Sequence, residues 1–278
     1  MENRSAFFCY PRKVTTAIAV TGLLGISLLL PSRLADPKLP NHLQQADKEA
    51  VTGPIFAPPL ELQGKIVRQV QLGEKEKAIA LTFDDGPWPE TTFQVLNILR
   101  QNNIKATFFW IGRNLKKYPD IGRQVVAEGH AIGNHTWHHW YFHMNPATAA
   151  AEIENTSKLI YETTGVQTFL FRPPGGFLHN GLVAYARSKN YGIMMWNSEP
   201  GEFQPRNTAA AYVKNVLNLA KPGGIVLLHD VHPKSVLALP QIIAGLRQRG
   251  YRFVTVPELL EMQAQAPKSK PKVEQVSR

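Results

Sequence analysis

Cysteine is almost absent from this 278-residue chain: Cys9 stands alone, so an internal disulfide and a cysteine-ligated zinc site are both excluded. Cys9 also precedes the one long apolar run, whereas a lipid-modified cysteine would follow it, and it reads as incidental. There is no H-E-x-x-H, which removes the helical zinc-peptidase arrangement; the residue after His135 is Thr136, not a glutamate. Charged residues make up only 19% and hydrophobic ones 44%, spread along the chain, so a disordered protein is excluded and one substantial core is allowed. The net charge of +10 comes partly from the ends, Arg4, Arg12 and Lys13 at the start and Lys268, Lys270, Lys272 and Arg278 at the finish. No helix carries a dense Arg/Lys stripe, so no nucleic acid is expected as a partner, and no obligate protein partner is evident either.

What is present begins with an uncharged stretch of 17 residues at 14–30, at the short end of what spans a bilayer, with Arg12 and Lys13 before it. Basic residues on that side keep the amino terminus in the cytoplasm. No small-x-small cleavage site follows Leu30, which favours an uncleaved signal anchor over a cleaved signal peptide. Both place the remainder outside the inner membrane, anchored on its periplasmic or outer side or secreted. Residues 1–31 thus form the cytoplasmic start and membrane segment, and 32–75 a Pro-rich linker and lead-in. A folded domain is expected over 76–262, followed by a disordered basic tail over 263–278.

Within that domain, apolar runs of β type at 77–83, 106–112, 131–135, 168–174, 191–197, 224–230 and 251–256 are each trailed by a helical pattern. Seven strands alternating with helices predict an α/β fold with a parallel sheet, either doubly wound or closed into a barrel. The barrel is favoured by where the titratable residues fall. Asp84 and Asp85, His135 and His139, Arg172, Glu199 and Glu202, and His229 with Asp230 all stand at the C-terminal ends of strands. In a parallel barrel those ends share one rim.

Taken singly, each has a plainer reading: D-D-G-P is turn chemistry, and a lone histidine in an apolar strand is usually a satisfied core residue. Together, Asp85, His135 and His139 form a two-histidine, one-carboxylate set suited to zinc, or to cobalt, nickel or iron as other divalent ions. The histidine spacing of four predicts two imidazoles on one face of a helical turn. The neighbouring aspartates, pointing to opposite sides at a strand end, would divide the work, with Asp85 on the metal and Asp84 as general base. His229 would then serve as general acid, and Arg172 would make a charge-assisted pair with Asp84. A bound metal acidifies its water to roughly pKa 7 for zinc. That combination is hydrolysis of an amide or ester.

These residues resemble the polysaccharide deacetylase family, also called the NodB-homology family, over about residues 76–262. LTFDDGP looks like its first motif, GNHTWHH its second, FRPP the start of its third and IVLLHD its fifth. The resemblance implies a distorted, incomplete (β/α) barrel and removal of N-acetyl, or O-acetyl, groups from peptidoglycan, a chitin-like oligomer or an exopolysaccharide. It also implies that Leu227 lies in the acetyl pocket. Two departures stand out. Gly175 replaces the tyrosine of the third motif, whose backbone N–H helps stabilise the oxyanion; glycine keeps that N–H. Aligning the fourth motif on Trp196 puts Glu202 where the family has aspartate, to orient His229, and Phe203 where it has tryptophan, as a pocket wall. These departures carry an alternative, a catalytically impaired glycan-binding protein on the same fold. His138, Trp140, Tyr141, Phe142 and His143, beside the metal ligands, either line a sugar groove or simply pack the loop.

Overall fold

A computed structural model describes residues 53–204 and 206–265 of the chain. Cys9, the apolar segment 14–30, the linker before residue 53 and the tail from 266 onward lie outside the described residues. Among the described residues, no helix is long and apolar enough to cross a membrane.

The described residues form ten strands: β1 (Ile55–Phe56), β2 (Ile66–Val67), β3 (Ala78–Asp84), β4 (Thr107–Trp110), β5 (Ala131–Asn134), β6 (Gln167–Thr168), β7 (Leu170–Phe171), β8 (Gly192–Met194), β9 (Gly224–His229) and β10 (Arg252–Val254). The helices are α1 (Pro89–Gln101), α2 (Gly112–Lys117), α3 (Pro119–Ala127), α4 (Pro146–Thr164), α5 (Leu182–Ser188), α6 (Ala209–Leu219), α7 (Pro233–Gln248) and α8 (Val256–Gln265). All seven expected strands (β3, β4, β5, β7, β8, β9 and β10) lie in one sheet whose ladders are parallel.

β3 organises that sheet. Every residue of it is buried, as a strand covered on both faces requires. β9 pairs along Ile79–Asp84 on one edge, while β10 takes Ala78–Ala80 and β4 takes Thr82–Asp84. Because a strand has only two edges, β10 and β4 must share the second, which splays the sheet at its base. From β4 the order runs through β5, β7 and β8 to β2. The chain just past β8 then touches β9 through a single bridge, Ser198 to Val226. The result is a curled half-barrel in which only isolated bridges to β9, this one and Gln69 to Gly224 just past β2, stand where a regular barrel would have a ladder.

Alternation along the strands sorts the core into an inner and an outer layer. Ile79, Leu81 and Phe83 of β3, with Val226 and Leu228 of β9, pack against residues of α1 and α7. Ala78, Ala80 and Ile225 face the interior with Phe109, Leu170 and Met194, where α8 plugs the base through Leu259 and Leu260. The same phase sends Thr82, Asp84, Leu227 and His229 inward at the opposite end.

Local differences from expectation have local causes. The helical pattern at 115–128, with Pro119 interrupting it, forms two helices that meet at Tyr118, because Pro119 lacks an N–H to continue α2 and instead opens α3. Residues 53–75, expected as lead-in, supply β1, which pairs with β6, and β2, which pairs with β8; Leu62, Val67 and Val70 are buried. α4 begins and ends as its sequence predicts, with the Asn145 side chain accepting from the Thr148 N–H and Gly165 left-handed at φ 73°.

Candidate active site

The inward-facing ends of β3 and β9 meet in register, Asp84 opposite His229, and open into a cleft of about 230 Å3. The cleft is lined by Asp84, Asp85, His135, His139, Gly175, Trp196, Glu199, Phe203, Leu227 and His229, among others. Residues from five strand ends thus converge. Arg172 is not at this surface; it lies fully buried beneath it.

The two aspartates do not face opposite sides. Asp84 ends β3 pointing inward, and Asp85 leaves the strand with φ 73°, a left-handed conformation that swings its carboxylate back into the same cleft. The histidine pair is not on a helical turn either. Residues 135–145 are an irregular loop in which Thr136 (φ 67°) and His139 (φ 63°) are left-handed. Asn134 fixes its start, its side-chain carbonyl accepting from the Thr136 N–H and its amide donating to the Ile153 carbonyl. The imidazoles come together with ring centroids 4.8 Å apart.

Asp85 Oδ1 lies 3.4 Å from His135 Nε2 and 3.1 Å from His139 Nε2, buried and without a hydrogen-bond partner. His135 Nδ1 is 2.7 Å from the Arg172 carbonyl, which can only accept. In the neutral ring this puts the proton on Nδ1 and leaves a lone pair on Nε2, aimed at the Asp85 carboxylate. One donor atom from each of Asp85, His135 and His139 falls within 4.8 Å of the others. Lone pairs and negative charge so gathered repel one another unless a cation joins them, so the residues present fit a divalent metal. Burial pushes the Asp85 carboxyl up, but the close approach of the His135 and His139 rings, and the positive charge of His135 and His229 when they are protonated, outweigh it and hold the group well below the usual carboxylate range.

Arg172 connects strands. Its Nε donates to the Met194 carbonyl at 2.9 Å, Nη1 to Asp84 Oδ1 at 2.7 Å and to Thr82 Oγ1 at 2.8 Å, and Nη2 to the Met195 carbonyl at 3.3 Å. Its guanidinium also lies 4.2 Å above the Phe109 ring. Burial lowers its pKa and the Asp84 carboxylate raises it back in part.

Glu202 reaches His229 from the loop after β8. One carboxylate oxygen bonds His229 Nδ1, and the other accepts from the His229 N–H and the Ser235 hydroxyl. Burial disfavours the imidazolium, but the bond and charge of Glu202, with the charges of Asp84 and Asp85, push its pKa up to about 9. Nε2 of His229 stands 3.9 Å from Asp85 Oδ2, so its proton faces the cleft. Leu227 is buried in the floor, and Phe203, 72% exposed, presents its ring edge to His229. The Trp196 Nε1–H donates to Glu199. Gly175, at φ 58°, occupies a backbone conformation that favours glycine.

Two residues support the site from outside the cleft: Glu152 escaped the sequence reading, whereas Asp230, expected with His229 at the common rim, is buried behind it. Glu152 lies on the buried stripe of α4 with Ala149, Ile153, Thr156 and Ile160; a carboxylate in a core stripe was the available signal. It accepts the Trp137 and His138 N–H groups at 3.0 and 2.8 Å, holding the ligand loop. Asp230, one residue past His229 and therefore on the outer face, accepts from Thr92 Oγ1 of α1 at 2.6 Å. Its burial, with the charge of Asp85, pushes its pKa up to about 7 against the lowering effects of Thr92, Trp110 and His229.

Residues 72–194 match the family model for polysaccharide deacetylase. A peptidoglycan-N-acetylglucosamine deacetylase of Bacillus cereus is 40% identical over 72% of this chain and 95% of its own length. A crystal structure of a peptidoglycan N-acetylglucosamine deacetylase with a naphthyl-N-hydroxybenzamide superposes with a TM-score of 0.66, at 32% identity over 76% of this chain and 97% of that one. A carbohydrate esterase family 4 pseudoenzyme from Bacillus anthracis superposes equally well, TM-score 0.66, at 25% identity over 72% and 70% of the two chains. With its half-barrel, its motifs in order and a relative this similar across nearly its whole length, the chain belongs to the polysaccharide deacetylase family.

Proposed function

We propose that this protein is an exported, metal-dependent N-deacetylase of peptidoglycan. The observation that carries the reading is the convergence of a candidate metal set, an arginine-paired carboxylate and an elevated histidine in one cleft. Asp85, His135 and His139 would hold the metal, for which zinc is our choice among divalent ions. When bound, it supplies Lewis acidity and a water of lowered pKa.

The chain's own groups divide the remaining work. Asp84, fixed by Arg172, is placed to take a proton from the attacking water as general base. His229, protonated at neutral pH by virtue of its raised pKa, delivers a proton to the departing sugar nitrogen through Nε2. Glu202 holds that imidazole by Nδ1 and leaves Nε2 free for the transfer. The Gly175 N–H stabilises the developing oxyanion. Leu227 packs against the acetyl methyl, and Trp196 and Phe203 wall the pocket. The apolar segment 14–30 would deliver the domain across the inner membrane and tether it there.

The test is acetate release from peptidoglycan and from N-acetylglucosamine oligomers by the zinc-reloaded protein. Asp84→Asn should lower kcat by roughly 100- to 10,000-fold, the usual share of a general base. Acetate release that needs no metal, or that survives this substitution, would sink the mechanism. Tight zinc binding with no acetate from either glycan would favour the catalytically impaired glycan-binding protein, for which the departures at Gly175 and Glu202 are the motive.

A further inference from the structure

The ligand loop carries two adjacent imidazoles, His138 and His139, and the structure gives them different partners. His139 lines the cleft, its Nε2 3.1 Å from Asp85 Oδ1. His138 turns away, and its Nδ1 lies 2.5 Å from Glu152 Oε1. The His138 ring also stacks on Trp140, with centroids 4.1 Å apart and planes within 7°. Spacing from His135 does not by itself make that choice, because a loop displaced by one residue would bring His138 to the place of His139. The register must be selected from outside the motif.

Glu152 of α4 is placed to select it. Its side chain is buried on the same stripe as Ala149, Ile153 and Thr156. Oε2 accepts the Trp137 N–H at 3.0 Å and the His138 N–H at 2.8 Å, while Oε1 takes the His138 ring. The carbonyls of the same stretch are held from α2: the Gly112 N–H donates to Thr136 at 2.9 Å and the Arg113 N–H to Trp137 at 3.2 Å. Residues 136–138 are thus bonded on both edges. His139 takes its direction from them, its own N–H donating to Thr136 Oγ1 at 3.1 Å. A carboxylate buried this deeply is heavily penalised when any partner is lost, so it strongly favours this one arrangement of the loop.

We propose that Glu152 is a positioning residue for the metal set: by binding the His138 ring and two backbone N–H groups, it keeps His138 off the metal and presents His139 to it. The inference rests on the reading of Asp85, His135 and His139 as ligands, and it needs no turnover. Its test is the zinc affinity of the full-length protein, measured by competition with a chelator. The visible absorption of the cobalt-loaded protein gives a second, independent measure of ligand geometry. Glu152→Met fits the buried stripe but accepts no hydrogen bond; it should weaken zinc binding about 10- to 100-fold and alter the cobalt spectrum. Glu152→Gln should bind within about 3-fold of the parent and keep its spectrum. One amide oxygen can accept both N–H groups while the amide nitrogen donates to Nδ1 of the other His138 tautomer. Should Glu152→Met fail to fold, Glu152→Asp, whose carboxylate stands one methylene further from the loop, should show the same loss. Unchanged affinity and spectrum in the methionine variant, or equal losses in the methionine and glutamine variants, would overturn the positioning role alone. A parent that takes up no zinc, or that keeps it after His139→Ala, would instead overturn the ligand set, and this inference with it.

Discussion

On one side of the cleft, Asp84 is held by a fully buried guanidinium that also binds the Thr82 hydroxyl and the carbonyls of Met194 and Met195. On the other, His229 is held by one carboxylate delivered from a loop, with the exposed Phe203 next to it in sequence. The base side is continuous with the barrel, for Arg172 links three of its strands or strand ends; it must form for the domain to form. The acid side hangs on a loop carboxylate outside the strands, so loss of Glu202 is expected to leave the barrel standing. Stability and chemistry are therefore expected to separate across the cleft.

The largest expected effect lies on the base side. Arg172→Met would leave Asp84 buried beside a vacated charge, at a cost of roughly 3–5 kcal/mol, much of a domain's total stability. Urea unfolding measures it, and a loss below about 1 kcal/mol would erase the contrast. On the acid side, Glu202→Gln should leave the unfolding midpoint much less changed but lower kcat by about 10- to 100-fold, as removal of an orienting partner does elsewhere. It should also move the alkaline limb of the pH–rate profile. In the proposed mechanism His229 acts in its protonated form, which is present below its raised pKa of about 9 and lost above it. Without the carboxylate that raises this pKa, the limb shifts towards lower pH. A limb that stays in place would assign it to another group.

The contrast also separates what the sequence disclosed from what it withheld. Strands such as β3 and β9 are continuous apolar runs ending in reactive residues, so their existence, parallel pairing and common rim follow from pattern. Conformation at the rim does not. The spacing of His135 and His139 suits a helix, yet the chain there is a loop with left-handed Thr136 and His139. Its shape depends on Asn134 and Glu152, and Glu152 lies in a helix that begins only after the loop ends. Asp85 likewise reverses the expected side because one backbone angle overrides strand alternation. Such positions are set by tertiary hydrogen bonds, which a one-dimensional period does not encode.

Asp230 offers the finest division between the two sides, because it adjoins the acid in sequence yet faces α1 on the outer layer. Its pKa, pushed up to about 7 mainly by burial, lies above the ordinary carboxylate value of 3.8. The folded state therefore binds this proton more tightly than the unfolded chain does between about pH 4 and 7, and stability from this group falls as pH rises through that window. Asp230→Asn removes the titration while keeping an acceptor for the Thr92 hydroxyl. The variant should accordingly gain thermal stability relative to the parent at pH 8 and little or none at pH 4, a difference read directly from melting temperatures at the two values. Activity should change less than in Glu202→Gln, since Asp230 is bonded to a helix rather than to His229. An equal loss of activity would mean that the outer layer, and not only the Glu202 loop, holds the acid in place.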